Sequence, residues 1–474
     1  MRFAGVPYAA PPVGDLRWRA PRAPQKWEGV RDALDFGDSC TQFPTLVGGR
    51  EDCLYLNVYA PARPRHEKLP VLVWVHGGSY VLGSAATYDP AAFVRGGEAI
   101  VVSFNYRMGV LGALALPELD DEEATGSGAY TLLDQQAALR WVQHNIDSFG
   151  GDSDRVMLFG QSSGAGYTCM NLASPSAAGL FHTAVTQSGC AQPSPSLPQA
   201  RDAAVRIADR LGCAAAAISP PCLRAKTPAE LNDAASAVLG GFQNLVQTLQ
   251  PPYGTKVYPS PVAHALSGGA YNKVPLIVGS NRREGQLLAG TGLFGFPIGR
   301  QQYLDSIRTT ITYLPPETVA EQYPLAAYPQ PLEALAAIVG DSGFACPALA
   351  IQSAASRSQV YGYTFTDPDA PGVVPIVLPP VPTHGSELSY LFELPATAVL
   401  SPAQRNLSDT MIDYWIRFAA TGVPDGVGLP HWPAFDAPDA AIQNLSPGAV
   451  GPTPATDFAA EHHCDFWNSV DAYR

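Results

Sequence analysis

The sequence has few charged residues and no long basic stretch. Lys and Arg number 29 of 474 residues, Asp and Glu number 42, and the formal net charge is −13. Nucleic-acid binding requires a clustered basic surface, so this composition argues against a nucleic-acid partner. The acidity is better explained by solubility than by the steering of a cationic substrate.

Long apolar runs are also absent. The most apolar stretches, Val71–Val75 and Ala99–Phe104, have the length of strands and fall short of the roughly 18 residues that a transmembrane helix requires. The opening residues Met1–Phe3 lead directly into Gly-Val-Pro-Tyr, without the apolar region of a signal peptide. We therefore expect no transmembrane segment, and a cytoplasmic location stays open.

No pair of cysteines has the Cys-x-x-Cys spacing of a metal or redox site, and we expect no metal and no cofactor. The chain has eight cysteines, an even number that permits disulfides without establishing them. Cys40 with Cys53, and Cys213 with Cys222, could each close a short loop.

Strand-like and helix-like segments alternate along the chain. Leu69–Val75 is a continuous apolar run, which is typical of a strand buried on both faces. Similar strands are expected at 99–104, 155–159, 274–278 and 360–365, and a helix at 131–149 that ends at Gly150-Gly151. This alternation predicts an α/β fold with a mostly parallel central sheet and helices on both faces. We expect one domain over residues 1–474, with long insertions such as the Pro-rich segment 368–382.

A candidate nucleophile stands directly after one of these strands. Gly160-Gln-Ser162-Ser-Gly164 follows the strand 155–159, and the residues after it can form a helix. A serine on a tight strand-to-helix turn projects its hydroxyl out of the sheet, and small neighbours are needed on both sides. Gly-x-Ser-x-Gly alone is common in ordinary turns, so the strand before it is what favours a catalytic interpretation.

A second glycine loop, His76-Gly77-Gly78-Ser79, follows the strand Leu69–Val75. Small residues there allow backbone N–H groups to approach an oxyanion, although a plain turn would have the same composition. Two such loops after two strands are the arrangement that ester hydrolases of this kind use.

The base and the acid are expected after the serine, each on a loop past a strand. His384 is favoured over His182 and His264, because it follows the strand 360–365. Glu284 directly follows the strand 274–278 and is the candidate acid that would orient the histidine. Asp305, Asp341 and Asp367 stay open as alternative acids.

Several long motifs occur together in this chain. They are Glu51-Asp-Cys-Leu-Tyr-Leu-Asn-Val-Tyr-Ala-Pro61, Phe149-Gly-Gly-Asp-Ser-Asp-Arg-Val-Met-Leu-Phe-Gly-Gln-Ser-Ser-Gly164, His384-Gly-Ser-Glu-Leu388 and His463-Cys-Asp-Phe-Trp467. With them, the chain resembles the type B carboxylesterases, which include cholinesterases and para-nitrobenzyl esterases. The resemblance extends nearly end to end and implies the α/β-hydrolase fold.

The resemblance assigns Ser162, Glu284 and His384 to a catalytic triad. It implies an oxyanion hole from the backbone N–H groups of Gly78, Ser79 and Ser163. It also implies three disulfides and leaves two cysteines, Cys169 and Cys190, free; the implied pairs are Cys40–Cys53, Cys213–Cys222 and Cys346–Cys464. Finally, it suggests two structural ion pairs, Glu51 with Arg107 and Arg17 with Asp134.

The chain also departs from the family pattern. Relatives have a hairpin before the Gly-Val-Pro-Tyr motif that is missing here, and most have Gly or Ala where Ser79 stands and Ala where Ser163 stands. Cholinesterases have Glu where Gln161 stands and a choline-binding Trp in the first disulfide loop, which here holds no Trp. A choline ester is therefore not the expected substrate.

The expected activity is hydrolysis of short-to-medium-chain carboxylic esters through an acyl-enzyme, by a monomer or weak homo-oligomer acting on a small molecule. Lipase and amidase or carbamate hydrolase activity with the same triad stay open, and a non-catalytic adhesion-type relative is the alternative of another class. Apolar residues in 239–252 and 293–303 are candidates for the substrate pockets. The disulfide pattern favours a secreted or periplasmic protein.

Overall fold

The computed structural model describes residues 1–43, 48–64, 68–120, 122–190, 193–213, 220–291, 295–372, 381–395, 398–436 and 439–470. The chain divides into two compact units. The first comprises residues 1–184 and 193–273, and the second comprises residues 185–192 and 274–474.

In its described residues, the first unit contains five strands in the order β1-β2-β4-β3-β5. Their bounds are β1 Arg2–Pro7, β2 Tyr55–Tyr59, β3 Leu69–Val75, β4 Ile100–Phe104 and β5 Gly151–Gln161. The pairs β3–β4 and β3–β5 are parallel, and β1–β2 and β2–β4 are antiparallel. Every residue of β3 is buried, which explains its continuous Val- and Leu-rich run.

Ten helices lie in the described residues of the first unit. They are α1 Ala91–Arg95, α2 Gly109–Ala113, α3 Pro117–Asp120, α4 Tyr130–Asn145, α5 Ser163–Leu172, α6 Leu197–Arg210, α7 Pro220–Arg224, α8 Pro228–Leu239, α9 Phe242–Thr248 and α10 Val262–Gly268. The predicted helix 131–149 is α4 followed by a 3₁₀ turn, Ile146–Phe149. It ends at Gly150, whose φ of 84° only glycine adopts readily. A further strand, β6 Thr183–Gln187, lies where the chain passes into the second unit.

The part of the second unit that the structure describes contains four strands in the order β7-β8-β9-β10. They are β7 Leu276–Asn281, β8 Val360–Phe365, β9 Ala441–Leu445 and β10 Gly451–Pro454. The pairs β7–β8 and β8–β9 are parallel, and β9–β10 is antiparallel. The strand predicted at 274–278 begins two residues later and continues to Asn281, because β8 pairs with it as far as Phe365.

Nine helices belong to the second unit's described residues. They are α11 Gly285–Gly290, α12 Arg300–Thr310, α13 Pro316–Gln322, α14 Pro331–Gly340, α15 Cys346–Ala354, α16 Leu388–Leu391, α17 Pro402–Thr421, α18 Ala455–Glu461 and α19 Cys464–Ser469. In both units strands and helices alternate, which confirms the predicted α/β class. Residues 373–380 of the predicted Pro-rich insertion lie outside the described part.

One helical run among the described residues, Pro331–Ala354, has the length and apolar composition to cross a bilayer. It comprises α14, a π-helical turn at Asp341–Ala345, and α15. Of the most apolar 18-residue stretch within this run, 72% is buried inside the structure. Leu335 and Ile338 belong to the core of the second unit, so burial against other protein elements accounts for the apolar composition.

All eight cysteines are disulfide-bonded. The three pairs implied by the family resemblance, Cys40–Cys53, Cys213–Cys222 and Cys346–Cys464, are confirmed. The prediction that Cys169 and Cys190 stay free is wrong. Both are buried and bonded, and the position of a cysteine in the sequence does not indicate whether folding gives it a partner.

The two predicted ion pairs exchange partners in the structure. Arg17 binds Glu51, with its Nη2 atom 2.5 Å from Oε1, and Arg107 binds Asp134, with its Nη2 atom 2.6 Å from Oδ1. Arg107 lies just past β4, where both its backbone N–H and its guanidinium reach the Asp134 carboxylate on α4. Both pairings join opposite charges, so only the fold decides between them.

We expect Asp134→Asn to destabilise the protein strongly. The side chains of Arg107 and Asp134 are 3% and 0% exposed, and removing one partner leaves a buried charge at a cost of about 3 kcal/mol or more. Asp147→Asn is the matched control, because its pair with Lys68 is more than half exposed and should add little to the unfolding free energy. Urea unfolding measures both values, and equal losses of unfolding free energy would contradict this interpretation.

Candidate active site

Ser162 stands on a tight turn between β5 and α5. Its backbone has φ 58° and ψ −128°, a strained conformation for a residue other than glycine. The flanking glycines are required by packing: a Cβ atom added at Gly164 would lie 2.1 Å from the Val75 carbonyl oxygen. A Cβ at Gly160 would lie 2.5 Å from the Gly164 backbone. The strand–turn–helix context predicted for the serine motif is therefore confirmed.

The glycine loop after β3 runs against this turn within the same unit. A Cβ added at Gly77 would lie 2.8 Å from the Gln161 carbonyl oxygen and 3.1 Å from the Ser162 Cβ. Gly78 has φ 127° and lies too close to Leu82 for any side chain. Ser79, at φ 54°, has a left-handed conformation that costs about 1–2 kcal/mol for a non-glycine residue.

The structure places the predicted oxyanion-hole residues on two backbone segments. Gly78 and Ser79 lie in the glycine loop, and Ser163 is the first residue of α5. The first N–H groups of a helix have no acceptor within that helix, and the helix dipole makes this end attractive to an anion. A backbone donor at Ser163 is therefore chemically suited to an oxyanion next to Ser162.

His76 anchors the beginning of the glycine loop. Its imidazole is fully buried and stacks on Tyr106, with ring centroids 4.3 Å apart. The Tyr106 hydroxyl donates to the His76 carbonyl oxygen at 2.5 Å. Burial lowers the pKa of His76 to about 4, so the ring is neutral at physiological pH. His76 therefore has the environment of a structural side chain.

His384 and Glu284 form a buried pair in the second unit. The His384 Nδ1 atom lies 2.6 Å from Oε2 of Glu284, and the two residues are 8% and 1% exposed. Burial alone would lower the pKa of His384, but the adjacent Glu284 carboxylate outweighs this effect and the pKa is raised. The structure thus brings together the predicted base and acid, with the geometry that fixes a histidine tautomer.

Hydrogen bonds between two loops hold the Glu284–His384 pair in position. Glu284 lies between β7 and α11, and its Oε1 accepts a hydrogen bond from the Asn281 backbone N–H at 2.6 Å. The Asn281 side chain donates to the Thr383 carbonyl oxygen at 2.7 Å. The Thr383 hydroxyl in turn accepts from the Leu287 N–H at 2.6 Å. Thr383, the residue before His384, is thereby hydrogen-bonded to Asn281 and Leu287, which lie on the two sides of Glu284 in the chain.

The alternative acids bind other partners. Asp341 pairs with His462, Asp367 accepts hydrogen bonds from Tyr390 and Gln404, and Asp305 forms an exposed pair with Arg308. Of the alternative bases, His182 accepts from the Val156 N–H, and His264 lies in α10.

Glu387 lies within the motif His384–Leu388, but the sequence alone assigned it no role. This carboxyl is fully buried and accepts hydrogen bonds from Gln187 Nε2, at 3.2 Å, and from the Asn281 side chain. The pKa of Glu387 is raised to about 7, chiefly by burial and in addition by the nearby charge of Glu284. Asn281 therefore joins two buried carboxyl groups, one through its backbone and one through its side chain. Glu387 follows His384 by three residues, the only signal that could have indicated it.

No group of three or more His, Cys, Asp or Glu residues in the described part of the chain is arranged to hold a metal ion. The chemistry that the site offers is that of a serine hydroxyl, a histidine with a carboxylate partner, and backbone donors. These are the components of nucleophilic acyl transfer.

Comparisons with known proteins agree with this chemistry. A model of the carboxylesterase family matches residues 1–467. Cocaine esterase of Homo sapiens is 33% identical, over 99% of this chain and 87% of its own length. Para-nitrobenzyl esterase of Bacillus subtilis (strain 168) is 34% identical, over 92% of this chain and 88% of its own. A solved PNB esterase structure matches with a TM-score of 0.79 at 33% identity, covering 97% of this chain and 95% of that one.

We expect Glu387 to make stability depend on pH. Its folded-state pKa of about 7 lies above the ordinary value, so the folded protein keeps a proton that the unfolded chain loses between about pH 4.5 and 7. The unfolding free energy therefore falls as pH rises through this window, by about 3 kcal/mol from this group. Glu387→Gln should remove that decrease, as measured by chemical unfolding at pH 5 and pH 8.

The control for this measurement is Glu317→Gln, since Glu317 is exposed on α13. It should leave the difference between pH 5 and pH 8 as in the unmodified protein. The same pH dependence in the protein with and without the Glu387 carboxyl would contradict the assignment.

Proposed function

The chain belongs to the carboxylesterase family and is a serine carboxylesterase of the α/β-hydrolase fold, and we propose that Ser162, Glu284 and His384 are its catalytic triad. The single observation that carries the proposal is the buried Glu284–His384 pair, because a buried carboxylate on Nδ1 is what a histidine base requires. The strained turn at Ser162 supports the assignment of the nucleophile.

In the proposed first step, the Ser162 oxygen attacks the ester carbonyl carbon while the Nε2 atom of His384 takes the hydroxyl proton. Glu284 stabilises the resulting imidazolium through its hydrogen bond with Nδ1 and remains a carboxylate itself. His384 then donates its proton to the departing alcohol oxygen as the carbon–oxygen bond breaks. The product of this half-reaction is an acyl-enzyme on Ser162.

The second half-reaction regenerates the enzyme. His384 removes a proton from a water molecule, the hydroxide attacks the acyl carbonyl, and Ser162 leaves with the proton that His384 returns to it. In both halves the carbonyl oxygen becomes an oxyanion. We assign its stabilisation to the backbone N–H groups of Gly78, Ser79 and Ser163, each donor contributing about 3 kcal/mol to the transition state.

The enzyme acts on small ester substrates, and we propose that short-to-medium acyl chains are preferred. The relatives support small esters, because two of them are named for cocaine and for para-nitrobenzyl esters. The segment 239–252, a candidate pocket lining, contains α9 with a buried Leu245, whereas residues 292–294 lie outside the described part. A long-chain lipase and an amidase remain the alternatives that the experiment below separates.

We further propose that residues 1–474 work as one catalytic domain, since a single family model matches residues 1–467. We propose that the protein is secreted or periplasmic. Four disulfides are compatible with an oxidising compartment, where such bonds persist. A monomer or weak homo-oligomer is proposed as the active form.

Hydrolysis of para-nitrophenyl esters from acetate to palmitate tests the function and the site together. We expect highest kcat/KM at short-to-medium chains, and Ser162→Ala should lower kcat by at least about 10⁴-fold. Ser163→Ala is the matched control, because it keeps the proposed backbone donor and should retain activity within about tenfold.

Other results of this experiment would favour one of the alternative functions or overturn the proposed nucleophile. A maximum at palmitate would favour the lipase alternative, and a faster reaction with the matching anilides would favour the amidase. Ester hydrolysis that survives in Ser162→Ala would overturn the assignment of the nucleophile. A folded protein that hydrolyses no ester would support the non-catalytic alternative.

A further inference from the structure

The helical run Pro331–Ala354 is interrupted by a π-helical turn at Asp341–Ala345. The Cys346 N–H bonds to the Asp341 carbonyl oxygen, five residues back, and so adds a residue to the turn. Such turns are rare and occur frequently at functional sites. The mechanism above uses no residue of this turn, although both of its ends are anchored and its middle contacts His384.

The first contact is with the acid's loop. Gly285 follows Glu284 directly and packs on α14 without room for a side chain. A Cβ added at Gly285 would lie 2.0 Å from the Ala336 carbonyl oxygen and 2.6 Å from the Gly340 nitrogen. The backbone next to the acid is therefore seated against the helix that leads into the π-helical turn.

The second contact is with the base. The ring of Phe344, in the π-helical turn, lies against the His384 imidazole with centroids 4.8 Å apart and an angle of 50° between the planes. Phe344 is only 6% exposed, so surrounding residues hold its ring in place. The hydrogen bond to Glu284 fixes the Nδ1 atom of the imidazole, and tilting about that atom would move Nε2. A phenyl ring against the imidazole limits this tilt.

Buried polar contacts hold the start of the turn. Asp341 Oδ1 lies 2.6 Å from His462 Nδ1, and its Oδ2 accepts a hydrogen bond from the Tyr323 hydroxyl at 2.8 Å. The Trp467 indole N–H donates to the same hydroxyl oxygen at 2.7 Å. Burial raises the pKa of Asp341, and the His462 contact partly opposes this effect. The turn is thereby bonded to the segment that leads into α19.

A covalent bond holds the end of the turn. Cys346, the first residue of α15, forms a disulfide with Cys464, the first residue of α19. The same segment near the end of the chain therefore anchors the turn on both sides of Phe344. This double anchoring leaves Phe344 little freedom to move away from His384.

We propose that the π-helical turn Asp341–Ala345 is a positioning element for the catalytic histidine, and that Phe344 is its positioning residue. The proposal rests on the role of His384 given under the proposed function. His384 must first take a proton from Ser162 and then donate it to the leaving alcohol, at two different places. Holding the imidazole plane in place keeps Nε2 directed at both the Ser162 hydroxyl and the leaving alcohol oxygen. Small errors in such an alignment reduce the rate strongly.

The test uses two esters of the same acid that differ in their leaving group. Para-nitrophenolate leaves readily without a proton, whereas ethanol leaves only when His384 protonates it. We expect Phe344→Leu to lower kcat/KM for the ethyl ester roughly fivefold or more beyond its effect on the para-nitrophenyl ester, with little change in KM. A side chain that serves only stability would lower both values by the same factor.

The matched control is Phe435→Leu, since Phe435 packs, partly buried, against the core cluster that contains Ala345 and Cys346. It should leave the ratio of the two kcat/KM values unchanged. An unchanged ratio in Phe344→Leu, with both variants folded at the assay temperature, would overturn the proposal.

A second, milder variant tests the anchoring of the turn. Tyr323→Phe removes the hydroxyl that holds Asp341, and we expect it to move the ratio in the same direction as Phe344→Leu. Its control is Tyr303→Phe, which also loses one buried hydroxyl, bonded to the Tyr323 carbonyl oxygen at 2.8 Å rather than to the turn. If the turn carries the effect, the double variant Tyr323→Phe, Phe344→Leu should change the ratio less than the product of the single effects. If the effects of the two substitutions on the ratio simply multiply in the double variant, the coupling is contradicted.

His384→Gln separates this proposal from the proposed function. Loss of both ester activities in His384→Gln, together with an unchanged ratio in Phe344→Leu, would overturn only the role of the turn. Activity that survives in His384→Gln would overturn the catalytic role of the histidine, and the role of the turn with it.

Discussion

The carboxylate of Glu284 is almost completely removed from water, and its contact with the imidazole of His384 is the interaction on which the site depends. A buried carboxylate costs several kcal/mol unless hydrogen bonds and an opposite charge compensate for it. Here the Asn281 N–H provides a hydrogen bond and His384 the positive charge when it is protonated. The arrangement therefore stabilises most strongly the protonated histidine, the form that the proposed mechanism generates.

This constraint explains why so much structure surrounds two side chains. Thr383 ties the loop of the histidine to the loop of the acid, and Gly285 lets α14 pack directly against the latter. Glu387 is kept close to Glu284, and its raised pKa means that the two carboxyls are not both readily charged. The same principle governs the scaffold, where Arg107 and Asp134 are buried only because each neutralises the other.

Local patterns predicted much of this from the sequence. The run Leu69–Val75 and the turn at Ser162 are set by local composition and steric limits, so their positions could be inferred directly. Arg17 and Arg107 received the wrong partners because charge alone does not distinguish Glu51 from Asp134. The bonded state of Cys169 and Cys190, and the contact of Phe344 with His384, are set by the fold rather than by neighbouring residues in the sequence. No local pattern encodes such contacts, and only the folded chain reveals them.

The central claim is that Glu284, through His384, activates Ser162. Labelling with a fluorophosphonate tests it most directly, because this reagent reacts only with an activated serine and peptide mass spectrometry locates the adduct. We predict a single adduct on Ser162, and a labelling rate that falls by roughly 100-fold or more in a folded Glu284→Gln variant. An adduct on another serine, or labelling of Glu284→Gln at the unmodified rate, would contradict the account.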